Sequence, residues 1–281
     1  MPYILPGGNP VWRKILHPAV VYAVTGMMLL PLTWMVGTSV KPPMEYISLS
    51  AALLPDNPTL DHYEQLMADD ITGKVVNSLI VAFGATFLAL TAGFPAAYAL
   101  VRLKLPRRFD TLFLLFVLVI KLSPPIVLAI PLYQVLRLMG LLDTLPGLIL
   151  VYQVYALPFA IWMLIGFIRD VSLSYEEAAM MDGAGLFTRL VTVVVPIMMP
   201  GLTATGVFLI ILCWNEFIYA LLFIQTPSKF TLPTYIATLI TEDETFWGRL
   251  TAIGFLSSLP ILALVGVVQK GLTRGFAGGL K

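Results

Sequence analysis

Residues able to do chemistry are scarce in this chain, and they fall in three places. Glu176, Glu177 and Asp182 stand close together in "EEAAMMDGAG", among alanines and two glycines, with apolar runs on both sides. Lys121 sits in "VIKLSPPIVLAIP", just ahead of Pro124 and Pro125, and Trp214, Asn215 and Glu216 follow one another in "CWNEFIY". A carboxylate and an amide side by side can hydrogen-bond hydroxyl groups, and a neighbouring aromatic can cover an apolar ring face. His17 and His62 are isolated in the sequence, and the single Cys213 lies in an apolar run. Neither a metal cluster nor a disulfide is expected from such a set. There is no nucleophile–base constellation and no G-x-x-x-x-G-K-[ST] phosphate loop, so neither catalysis nor an ATP site is expected in the chain itself.

The elements that must position these groups are membrane spans. The 281 residues are 58% apolar and 12% charged, and the mean hydropathy of +0.89 is far above that of a soluble surface. A formal charge of +1 supplies no basic face, which excludes nucleic acid as a partner. A crossing helix needs about 20 mostly apolar residues, and six stretches qualify, at 17–38, 75–101, 111–135, 145–168, 197–224 and 250–269. The N-terminus lacks the positive, apolar, small pattern of a removable signal, so span one is expected to direct insertion.

Lys121 then lies about ten residues into span three, about 15 Å deep. Charge at that depth is a functional candidate by default, and a proline-interrupted helix can turn freed carbonyls toward a cavity. A packing reading stands beside the functional one. Lys121 could snorkel or pair with a carboxylate, Glu216 included, and Asn215 and Glu216 could fasten span five to a neighbour. Pro31 and Pro95 are read as kinks, and Gly84 and Gly93 as points of close helix approach.

Lys and Arg are retained on the cytoplasmic side. With the N-terminus inside, that side holds Arg13, Lys14, Arg102, Lys104, Arg107, Arg108, Arg169, Arg189, Lys270, Arg274 and Lys281, against Lys41, Lys74, Arg137, Lys229 and Arg249 outside. Both termini are therefore expected in the cytoplasm. The outer loop 39–74 contains "NPTLDHYEQLM", read as a surface helix capped by Thr59, with Leu60, Tyr63, Leu66 and Met67 on one face. It is either an ordinary interfacial helix or a landing surface for an external partner.

The acidic segment falls between spans four and five, on the cytoplasmic side. Ser174 and Glu177 have capping-box spacing, Gly183 suits a left-handed C′ position, and a second helix would run from Gly185 or Leu186 to Val195, ahead of Pro196 and Pro200. Local physics leaves two uses open: a self-capped turn, or a bent helix pair shaped for a cleft in another protein.

Glu177-Ala178-Ala179, three residues, Gly183, nine residues, then Val193-x-Val195-Pro196 resembles the EAA motif of ABC-importer permeases, with Val for Ile and Val for Leu at its end. "NPTLDHYEQL", "GLLDTLPGLIL", "WNEFIYALL" and "QKGLTRGFAGGLK" resemble the carbohydrate branch related to the maltose and glycerol-phosphate systems, in particular the short six-span partner of a permease heterodimer. The resemblance implies an all-α polytopic fold of six transmembrane helices forming a single domain over 1–281, with a coupling helix in 169–196. It also implies that Glu177, Ala178, Ala179, Gly183 and Pro196 belong to the ATPase-docking segment. Implied partners are a second permease, two ATPase subunits that bind ATP and Mg, an extracytoplasmic solute-binding protein and the bilayer of a bacterial inner membrane. The cargo would be a sugar or polyol, with Lys121, Trp214, Asn215 and Glu216 as candidates for its path. Permeases for amino acids, peptides or polyamines, and an ATP-independent secondary transporter, are the alternatives.

Overall fold

The computed structural model describes residues 11–46, 55–103, 108–240 and 246–278. The side chains of Lys121 and of residues 11–17 and 267–278 lie outside the described set, as do Lys104 and Arg107 of the basic run. The described chain is nearly all helical: α1 (Val11–Ser39), α2 (Asp61–Ala68), α3 (Ile71–Arg102), α4 (Phe109–Leu122), α5 (Pro125–Leu138), α6 (Leu145–Asp170), α7 (Leu173–Met181), α8 (Leu186–Arg189), α9 (Val195–Trp214), α10 (Ile218–Phe223), α11 (Leu232–Thr238) and α12 (Trp247–Gly278). Among the described residues, five helices are long and apolar enough to cross a membrane singly, and a sixth crossing is reached by taking α4 and α5 together, across a bend of 98°. Pro124 and Pro125 explain that bend. They withhold two backbone donors, Ser123 and Pro124 turn extended, and α5 restarts with Pro125 at its first position.

The chain forms two compact units, Met1–Asp69 with Leu239–Ser258, and Asp70–Thr238 with Leu259–Lys281. In the second, α3, α6 and α9 pack on one another. Ala82, Ala85, Ala89, Gly93 and Ala97 recur every three or four residues on α3 and are buried, as are Ala156 and Ala160 on α6. Small residues at helical spacing let two backbones approach closely. A Cβ at Gly93 would stand 3.1 Å from that of Ala160, and one at Gly84 would meet Ile149 at 2.7 Å. Both glycines therefore serve packing, as their positions suggested. Gln153 adds a polar tie, donating from α6 to the Ala85 carbonyl at 3.1 Å.

Span five departs from expectation. The helix is continuous from Leu186 to Trp214, rather than ending at Val195 and restarting at 197, and it stops ten residues short of 224. Pro196 is absorbed because Leu190–Val194 forms a wider π turn just ahead of it. A ring at that point would otherwise press on the carbonyl four residues back.

Between α5 and α6, Asp143 adopts a left-handed backbone (φ 54°). Its carboxylate accepts from the Gln225 N–H at 2.9 Å, the Thr226 N–H at 3.1 Å, the Thr226 hydroxyl and the Lys229 ammonium at 3.1 Å. The Asn77 amide holds the same loop through the Ser228 and Phe230 carbonyls, at 2.9 and 3.1 Å. Burial works to raise the Asp143 pKa, but these donors outweigh it and hold the group well below the usual carboxylate range.

In the first unit, α1 is exposed throughout from Pro18 to Trp34. Ser39 and Tyr63 share a hydroxyl–hydroxyl bond of 2.7 Å. Two expectations for α2 change. His62 is buried, not isolated, with Nε2 2.8 Å from the Lys41 carbonyl oxygen. Thr59 Oγ1 does accept the Asp61 N–H at 3.2 Å, but Leu60 occupies the cap position. The buried face of α2 is His62 and Leu66, while Leu60 and Met67 are exposed. The chain after α1 lies against the polar edge of α2, which hydropathy alone would turn outward.

Candidate functional site

Two features of the second unit gather the residues of interest, and α7 is the first. Ser172, not Ser174, caps the helix: Ser172 Oγ accepts the Ser174 N–H at 3.4 Å and bonds Ser174 Oγ at 2.8 Å. The helix starts earlier than the capping-box spacing implied because Val171 already leaves α6 in an extended conformation. At the other end Gly183 has φ 80°. Its N–H donates to the Met180 carbonyl at 3.0 Å, and the Ala184 N–H to that of Ala179 at 2.9 Å. This is a Schellman closure. The chain then turns into α8 and on through the π turn to Pro196 and α9.

The two adjacent glutamates have opposite surroundings. Glu177 and Ala178 are exposed and Ala179 is half-buried, whereas Glu176 is 2% exposed. Arg102 Nε donates to Glu176 Oε1 at 2.8 Å, and the Tyr98 hydroxyl donates to Oε2. The same guanidinium donates to the carbonyls of Ile168 and Val171 at 3.1 and 2.5 Å. One arginine at the end of α3 thus ties α7 to the end of α6. Removing one member of such a buried pair typically costs about 3–5 kcal/mol, through the charge left behind. Sequence reading passed over Glu176; the available signal was an acid one helical step from the exposed face and a basic run after α3. The same helix presents exposed apolar side chains, Leu173, Tyr175 and Met181, the last 88% exposed. Acid, small residues and exposed apolar side chains on one short rigid helix make a surface fit for a protein partner.

The second feature is a cavity of about 810 Å³ lined by residues that include Ser123 and Pro125 at the α4–α5 break, Tyr155 and Phe159 on α6, and Asn215, Glu216, Phe217 and Tyr219 after α9. The rings of Tyr155 and Tyr219 are stacked, 6.1 Å between centroids and 3° from parallel. Glu216 and Asn215 are there together, as their adjacency suggested, but the carboxylate is engaged: it accepts the Tyr219 N–H at 2.9 Å and the Ala220 N–H at 3.2 Å, capping α10. Asn215 donates back to the Ile211 carbonyl at 2.8 Å. Trp214 does not join them. It is buried and lines a separate apolar cavity with Leu79, Phe83, Ile261 and Leu264, because one helical step turns it about 100° from Asn215. Lys121 is in the last turn of α4; its side chain, and with it any Lys121–Glu216 pair, lies outside the described residues.

Residues 75–277 match the family described as the binding-protein-dependent transport system inner membrane component. The trehalose transport system permease protein SugB of Mycobacterium tuberculosis is 33% identical over 259 residues, which cover 91% of this chain and 93% of that protein. The diacetylchitobiose uptake system permease protein DasC of Streptomyces coelicolor is 30% identical over 253 residues, covering 90% of this chain and 91% of that protein. The fold is similar to a chain of a bacterial ABC transporter involved in the import of the acidic polysaccharide alginate, with a TM-score of 0.74 over 95% of this chain and 99% of that one, at 20% identity. A helical fold, apolar spans and a match over most of the length agree: the chain belongs to the family of inner-membrane components of binding-protein-dependent transport systems, and it is a multi-pass membrane permease.

Proposed function

We propose that the chain is one transmembrane domain of an ATP-driven importer for a carbohydrate or related polyol, completed by a second permease of the same kind. Two ATPase subunits sit on the cytoplasmic side, one of them docking against α7, and an extracytoplasmic binding protein delivers the cargo. The observation that carries the docking role is the disposition of α7: Glu177 and Ala178 face outward, and Gly183 closes the helix in a left-handed turn. An ATPase cleft can grip such a helix by shape and by charge at Glu177, with Pro196 placing the following span. The excess of Lys and Arg at the α7 side supports cytoplasmic termini. For the cargo, the support is the cavity, where Tyr155, Phe159 and Tyr219 offer ring faces and Asn215 and Glu216 offer polar groups. Relatives named for trehalose and diacetylchitobiose uptake point the same way.

Reconstituted transporter carrying Glu177→Lys or Gly183→Leu tests the docking role. Both variants should insert in normal amounts, fail to retain the ATPase subunits on purification, and lose ATP-dependent uptake. Full retention and uptake in both would sink this reading.

A further inference from the structure

We infer that Tyr98, Arg102 and Glu176 form a latch that makes α7 move as one body with α3 and α6, delivering force on α7 to the cavity wall. The inference rests on α7 being the ATPase-docking helix.

Glu176 is the one fully buried side chain of α7 among the described residues, while most of its neighbours face outward. Apart from the latch, α7 is joined to α6 by the short Val171–Ser172 link and packs on the 186–194 segment. A helix held that way can roll about its own axis. The latch prevents rolling because its acceptors lie on two elements. Arg102 reaches Glu176 with Nε, and with its other arm reaches the Ile168 carbonyl in the last turn of α6 and the Val171 carbonyl just beyond it. The Ile168 carbonyl, in the last turn of α6, belongs to the negative end of that helix's dipole, so the cation is favourably placed there even before Glu176 arrives. The Tyr98 hydroxyl fixes the second carboxylate oxygen, leaving little freedom to rotate.

Stability alone does not account for the arrangement. An apolar replacement of a buried ion pair is often as stable or more so; what the planar guanidinium fork adds is a fixed geometry among three helices. Beyond the latch, α3 and α6 pack through the small-residue stripe, and α6 carries Tyr155 and Phe159 into the cavity wall. Those two rings lie about 14–24 Å along α6 from Ile168 and Val171, at the usual helical rise. Displacement of α7 is thereby a displacement of the cavity wall.

The test measures cargo moved per ATP hydrolysed by the complete reconstituted transporter, with Glu176→Gln and Tyr98→Phe as variants and Glu177→Lys as reference. With the latch weakened, Glu176→Gln should hydrolyse ATP while moving about tenfold less cargo per ATP, with a smaller drop in Tyr98→Phe, in the usual range of coupling energies. A merely structural role would lower hydrolysis and uptake in step and leave their ratio within about twofold of the parent; that result overturns the latch. Should Glu176→Gln fail to assemble, Tyr98→Phe, which deletes one hydroxyl, decides by the same ratio. Failure of the docking reading shows separately: Glu177→Lys would then retain its ATPase subunits. Loss of those subunits in Glu177→Lys with an unchanged ratio in the two latch variants would overturn the latch alone.

Discussion

A carboxylate holding four donors must lose them when it gains a proton, and Asp143 is in that position. Its pKa in the fold is lowered, so its contribution to stability is fully present above the unfolded value near about 3.9. That contribution fades as pH falls below this value and through the folded pKa. Amide exchange at Gln225 and Thr226 should thus show protection that declines on acidification below about pH 4, and Asp143→Asn should remove this dependence. A flat protection profile in the parent would contradict the assignment. At this scale the sequence was only half readable. It located a short helix here and singled out Glu177, but it could not show that Glu176 is the buried neighbour, because inward and outward positions differ by one helical step. Which of the two is buried is decided by Arg102, 74 positions away in the chain. Asp143 drew no attention for the same reason: its partners arrive from a loop more than 80 positions on.

At the scale of elements, the closure of α7 depends on one backbone conformation. A side chain at Gly183 meets open space but would sit at φ 80°, which for an L residue costs about 1–2 kcal/mol. Gly183→Ala should therefore lower the stability of the isolated chain by about 1 kcal/mol, and Gly183→Asn by less, since Asn tolerates this region. Denaturation in detergent would measure both, and equal stability of Ala and Gly there would refute the argument. Hydropathy located the long helices because length and apolarity are local properties. It could not place their joints. The α4–α5 bend was foreshadowed by Pro124 and Pro125, whereas α9 runs through Pro196 on a π turn that no residue announces.

Over the whole molecule, the cavity draws its wall from helices far apart in sequence, so no local pattern could reveal it. Asn215, Glu216 and the proline break at Pro125 were marked in advance, and the aromatic wall of Tyr155, Phe159 and Tyr219 appears with the fold. If that wall contacts cargo, Tyr155→Ala and Phe159→Ala should each raise the KM of vesicle uptake about two- to tenfold, the worth of one aromatic contact. Superimposable uptake curves would place the path elsewhere. The cap on α10 has a practical consequence for anyone wishing to retarget this transporter to another cargo. If the cavity is the cargo path, exchanging Glu216 would alter the fold together with the selectivity, since its carboxylate holds the Tyr219 and Ala220 amides. Asn215 donates back to its own helix, so on the same proposal a library built at position 215 and on the rings of the cavity wall should change preference while leaving the scaffold whole.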